Sequence, residues 1–238
     1  MSLSRREFVF LSSGALAGNL LVSGIAEADD NRKTAHVFSH SGLVTGKPKL
    51  LKHKAIPGFL SAEQIAPHHT AHYGGALKGY NGLDKKLQSS ITAGREIDSN
   101  AYGAMQRARE SKGNSVVLHE LYFDGMTPTA PSPKADVRAA IEKRFGSVDK
   151  WADDFQASAR AAAGWALLVE HPVNGKLYNV VSDEHAHGVL WMARPLVVID
   201  VYEHAFYVDY KNRKADYVAK FMAHIDWAEV NGRFRAAK

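Results

Sequence analysis

Residues 195–210 read PLVVIDVYEHAFYVDY. The run from Pro195 to Ile199 is apolar and rich in β-branched residues, the composition of a buried strand. Asp200 closes that run, with Glu203 and His204 directly behind it. A carboxylate there is expensive, because an ion taken out of water costs several kcal/mol unless something pairs with it. The rest of the chain has to supply the partner of Asp200.

At 238 residues, 45% hydrophobic and 23% charged, the chain can build a sizeable core as one large domain or two small ones. Thirty Lys and Arg against 25 Asp and Glu give a net charge of +5, spread along the sequence. That excess attracts small anions and lacks the clustered basic stripe of a nucleic-acid binder, so no nucleic-acid partner is expected. With no cysteine, disulfides, thiolate metal sites and thiol catalysis are excluded. Any metal must be held by His and carboxylates.

The N-terminus pairs Arg5 and Arg6 with an uncharged stretch from Phe8 to Ala26, and Ala26-Glu27-Ala28 is a small-x-small cleavage site. This resembles a twin-arginine export signal over residues 1–28, matching S-R-R-x-F from Ser4 to Phe8. The rival is a retained membrane anchor, but Ser12, Ser13, Gly14, Gly18, Asn19 and Ser23 dilute the stretch. The expectation is a mature chain starting near Asp29, periplasmic or otherwise extracytoplasmic, with no stable membrane association once the signal is removed.

Residues 29–57 lack periodicity and read as an extended or poorly ordered lead-in. A helical hairpin domain follows over 58–126. Ser61 with Gln64 makes a capping box, and Ile65, Tyr73, Leu77, Tyr80 and Leu87 recur at near-helical spacing, with a disturbance expected at Pro67. A second helical region at 98–124 is expected to be interrupted by SKGN at 111–114. The proline-rich segment 127–134 reads as a linker to a C-terminal domain over 135–238. There a helix runs from Ala135 to Phe145, and Ser147 caps another ending at Gly164. Strands follow at 165–170, 176–182 and 195–200, the first two joined by a turn with an Asn-Gly signal, then a helical tail with a capped start at Asp226. The fold class expected is α+β, an N-terminal α-helical hairpin domain and a C-terminal mixed domain with a three-stranded antiparallel sheet flanked by helices.

His68, His69 and His72 fall on the first helix, His119 on the second, and His204 four residues after Asp200. Two histidines from the hairpin plus Asp200 and His204 make a candidate metal set. Nitrogen and oxygen ligands without sulfur suit iron or manganese, with zinc left open by ligand type alone.

These residues carry a resemblance to the iron/manganese superoxide dismutase family across about 57–235. Its most specific element, D-x-W-E-H-A-[FY]-Y, stands here as DVYEHAFY with Tyr202 at the usual Trp position. SAEQIAPHHTAHY resembles the first-ligand helix, SVVLHELYF the second-ligand segment, and GWALLV with NGKLYNVVS the sheet. The resemblance implies that His68, His119, Asp200 and His204 ligate one Fe or Mn ion per subunit, with solvent in a fifth position. The implied reaction converts the superoxide anion to dioxygen and hydrogen peroxide by one-electron cycling. Glu203 and His204 match a pair that bridges the two sites of family dimers, and His72 with Tyr207 matches a second such pair, which implies a homodimer. Trp165 and Tyr122 match aromatic residues lining the site. His185 falls where many members place a Gln that bonds the metal-bound solvent.

Departures from the pattern accompany the matches. The family's gateway Tyr is Ala76 here, the residue before the second ligand, commonly Asn, is Leu118, and the alternative Gln position is Ser115. They leave open an exported metal-binding, dismutase-like protein with weak or no turnover, and a structural cell-envelope protein would need no metal at all. The bland readings are Asp200 as a helix cap, Glu203 as a surface charge, Tyr207 as core filling and His185 as an ordinary loop histidine. There is no G-K-[ST] phosphate loop, H-E-x-x-H, G-x-S-x-G or dinucleotide fingerprint.

Overall fold

The computed structural model describes residues 39–93, 98–129, 131–188 and 190–236. The expected export signal and the first part of the lead-in lie outside the described residues. From Ser39 onward the lead-in forms specific contacts with the hairpin. A short helix α1 (Gly42–Thr45) is capped by Ser41. Gly42 N–H and the Tyr73 hydroxyl both donate to Glu120 Oε1, at 2.7 and 2.8 Å, and Lys49 N–H donates to the Tyr73 oxygen at 2.7 Å. Lys49 also pairs with Asp124, and Lys52 with Asp226, so the segment is a strap across both halves of the sequence.

The first long helix begins as α2 (Ala62–Pro67), widens into a π-turn segment (His68–Tyr73) and continues as α3 (Gly74–Thr92). Pro67 has no N–H to give, and the ladder re-forms one residue wider, with Gly74 N–H reaching back to His69 O. The capping box is half made. Ser61 accepts from Gln64 N–H, but the Gln64 side chain leaves its own helix, and Ser61 N–H is taken by Asp209.

The second helix, α4 (Ser99–Asp124), is continuous, which corrects the expected interruption at 111–114. Lys112 covers Gly79, and a Cβ at Gly113 would sit 3.1 Å from the Tyr80 ring. Gly113 is therefore a close-approach site in the helix, and packing outweighs its poor propensity. The contacts Asp84–Arg109, Tyr80–Gly113 and Tyr73–Glu120 run in opposite sequence directions, so α3 and α4 form an antiparallel hairpin.

Beyond the proline-rich segment come α5 (Ala135–Phe145) and α6 (Val148–Ala161), the latter capped by Ser147 and ending three residues before the expected Gly164. The antiparallel sheet has β1 (Trp165–His171) in the centre, between β2 (Lys176–Ser182) and β3 (Arg194–Asp200). β1 is buried from Trp165 to Glu170, with α6 packed on β1 and β2 and α4 on β3, which is why its run is apolar from Trp165 to Val169. A 3₁₀ turn (Glu203–Ala205), α7 (Tyr207–Tyr210), α8 (Lys214–Met222) and α9 (Trp227–Arg235) complete the chain, α9 being capped by Asp226. Buried Arg233 on α9 donates to Leu121 O on α4 and to Leu196 O on β3, both at 2.9 Å. One side chain thus joins the hairpin to the sheet. Among the described residues no helix is long and apolar enough to cross a membrane.

Candidate metal centre

Four side chains from four elements of the fold meet behind the end of β3. The π-turn segment contributes His68, α4 contributes His119, β3 ends in Asp200, and the 3₁₀ turn supplies His204. One ligand atom from each lies within 4.8 Å of the others, and all but His204 are buried. Across the strands Trp165 is the register partner of Asp200, so an indole walls the carboxylate on the β1 side.

The carboxylate divides its work between its two oxygens. Asp200 Oδ1 accepts Tyr202 N–H at 3.0 Å, the turn-capping role open to any Asp at a strand end. Asp200 Oδ2 faces three imidazoles, with the Nε2 atoms of His68, His204 and His119 at 3.1, 3.3 and 3.7 Å. Burial works to raise the Asp200 pKa, but the imidazoles of His204 and His68 outweigh it and hold the carboxyl below its ordinary 3.8. The main-chain oxygen of Asp200 accepts from the buried Tyr217 hydroxyl at 2.7 Å, which in turn accepts from Tyr122 at 2.9 Å.

His119 shows what the cluster requires. Its Nδ1 lies 2.7 Å from Ser115 O, and a carbonyl only accepts, so the ring proton is on Nδ1. Nε2 is then a bare lone pair directed at an ionised carboxylate. Among the described residues neither His119 Nε2 nor His204 Nε2 has a hydrogen-bond partner. Burial lowers the His119 pKa from 6.5 to about 3 and also depresses that of His68, so both rings are neutral at ordinary pH. A buried lone pair turned toward an anion is repelled unless a cation lies between them, and imidazole with carboxylate is the donor set that iron or manganese takes. The residues present fit such an ion.

Around this cluster, Trp165 Nε1–H donates to His185 Nδ1 at 3.0 Å, and the His185 ring stands 6.4 Å from that of His119 and 5.4 Å from that of Tyr202. With Nδ1 accepting, a neutral His185 carries its proton on Nε2. His72 stacks on His204 at 3.7 Å, and Tyr122 packs on His68 at 5.4 Å. Glu203 and Tyr207 do not join the cluster within one chain, both being exposed and Tyr207 48% so. Ala76 and Leu118 are buried, and it is the main-chain oxygen of Ser115 that orients His119. Two contributors escaped the sequence reading. Gln64 sits one turn before His68 on the same helix face, a signal that was readable, whereas nothing in the local pattern marks Tyr217.

Residues 133–233 match the family described as iron/manganese superoxide dismutases, C-terminal domain. The chain is 34% identical over 191 residues to a protein named superoxide dismutase [Mn] 2 from Haloferax volcanii, covering 80% of this chain and 94% of that one. It is 39% identical over 193 residues to superoxide dismutase [Fe] from Aquifex pyrophilus, covering 79% and 89%. To superoxide dismutase [Fe] from Cupriavidus metallidurans it is 35% identical over 181 residues, covering 75% and 90%. With the helical hairpin, the three-stranded sheet and the His-Asp cluster between them, these similarities lead to one conclusion: the chain belongs to the iron/manganese superoxide dismutase family.

Proposed function

We propose that the protein is a superoxide dismutase in which His68, His119, Asp200 and His204 hold one iron or manganese ion per subunit. The observation that carries this reading is the pair of unpartnered buried atoms, His119 Nε2 and His204 Nε2, turned toward Asp200 Oδ2. An ion held there supplies one-electron cycling, so that two superoxide anions and two protons become dioxygen and hydrogen peroxide. The residues of the chain do the rest. Asp200 adds an anionic ligand, which favours the oxidised ion, and His119 stays neutral with its tautomer fixed by Ser115. His185, its Nδ1 occupied by Trp165, offers Nε2–H to orient solvent and so to deliver protons. A net charge of +5 draws the anionic substrate in.

Export by the twin-arginine route rests on Arg5, Arg6 and the Ala26-Glu27-Ala28 site, and assigns the enzyme to the periplasm or another extracytoplasmic space. A homodimer rests on exposed Glu203 and Tyr207 beside partly exposed His204, groups that a second copy can cover. A second reading, a metal-binding relative with weak or no turnover, is favoured by buried Ala76, which brings no phenol to the site. Metal content and superoxide turnover per bound ion, measured on protein beginning at Asp29, decide between them. Stoichiometric iron or manganese with rapid turnover is expected. Full occupancy with negligible turnover selects the second reading, and a preparation that takes up no metal overturns both.

A further inference from the structure

The Gln64 amide occupies a position that capping does not explain. Gln64 is 1% exposed, and both ends of its side chain are used on one distant segment. Nε2 donates to His204 O at 2.6 Å, and Oε1 accepts Val208 N–H at 2.9 Å. Residues 204 and 208 stand four apart, so the carbonyl and N–H that a regular α-turn would join to each other are both taken by Gln64. The backbone is broken at that point. The 3₁₀ turn ends at Ala205, Phe206 adopts φ −142°, and α7 starts only at Tyr207.

We infer that Gln64 is the positioning residue of His204, an amide wedge that holds the 204–208 turn open so that the imidazole faces Asp200 while Tyr207 faces outward. This rests on the reading of His204 as a metal ligand. If the wedge is removed, Val208 N–H closes on His204 O, the helix extends back through Phe206, and the His204 ring turns off Asp200. The geometry also gives the first-ligand helix a hold on the last ligand, since Gln64 and His68 share one face of the same helix.

The test loads the full-length protein with manganese(II) alone. It follows release of the ion to a chelator and records the electron paramagnetic resonance spectrum of the bound ion. Gln64→Leu is expected to lose manganese about 10–100-fold faster than the parent, the usual effect of removing a partner that orients a ligand, with an altered spectrum. Ser61→Ala weakens the same helical turn by removing its cap and is expected to leave both readouts unchanged. Should Gln64→Leu fail to fold, Gln64→Glu keeps the acceptor for Val208 but loses the donor to His204 O, and an intermediate release rate is expected. Parental release and spectrum in either Gln64 variant, or equal acceleration by Ser61→Ala, overturns the inference. A parent that binds no manganese sinks the metal reading instead. The crystal structure of metal-free Gln64→Leu then decides the wedge by whether Val208 N–H has closed on His204 O or the backbone is unchanged.

Discussion

In the proposed function His185 carries the most chemistry per residue outside the four converging groups. Its ring is held by Trp165 and stands among His119, Trp165 and Tyr202 without being one of the four converging groups. Burial lowers its pKa, in keeping with the neutral donor that the proposed function makes of it. His185→Ala is therefore expected to reduce turnover about 10–100-fold while bound metal stays stoichiometric, checked by pulse radiolysis and elemental analysis on the same sample. Collapse of metal content would make it a ligand support instead. Residues with a chemical reason to be together, such as three imidazoles and an acid, were legible in the sequence. Spacing puts Gln64 on the His68 face, but neither its hold on His204 O, 140 positions away, nor that of Tyr217 on Asp200 O, 17 away, was legible, because a backbone carbonyl leaves no trace in residue type.

At the scale of elements, propensity and packing disagree at one instructive place. SKGN reads as a helix break, yet α4 runs through it because Gly113 lets the Tyr80 ring approach. Gly113→Ala should therefore destabilise the protein, by about 1–3 kcal/mol, despite the better helix former. In a Tyr80→Ala background the same change should stabilise by up to about 1 kcal/mol. Urea unfolding of the four proteins of this cycle tests it, and a stabilising Gly113→Ala in the parent would refute the packing account. Strands and helix caps were readable where a local pattern decides them, as at Ser147, Asp226 and the apolar run of β1. The uninterrupted α4 was not, since tertiary contact decided it, whereas the disturbance at Pro67 was legible and takes the form of a π-turn.

Over the whole molecule, the strap and the C-terminal cap meet at Asp226. Burial works to raise its pKa, but the Lys52 ammonium and the N–H groups of Ala228 and Glu229 hold it below 3.8. A depressed carboxylate contributes its full stability above the unfolded pKa and loses it as pH falls through the folded one. Asp226→Asn keeps the cap and removes the charge. It should lower the melting temperature at pH 7, with the gap to the parent closing below about pH 4. A gap that persists unchanged into acid would show that the Lys52 pair contributes nothing. The same long-range construction sets the order in which a nascent chain can become competent. His68 and His119 leave the ribosome well before Asp200 and His204, and the hairpin by itself offers two imidazoles and no anion. Arg233, which clamps the hairpin to β3, emerges last of all. Ion capture must therefore await the emergence of Asp200, His204 and Arg233, and the compartment in which the polypeptide completes its fold also chooses the metal it meets.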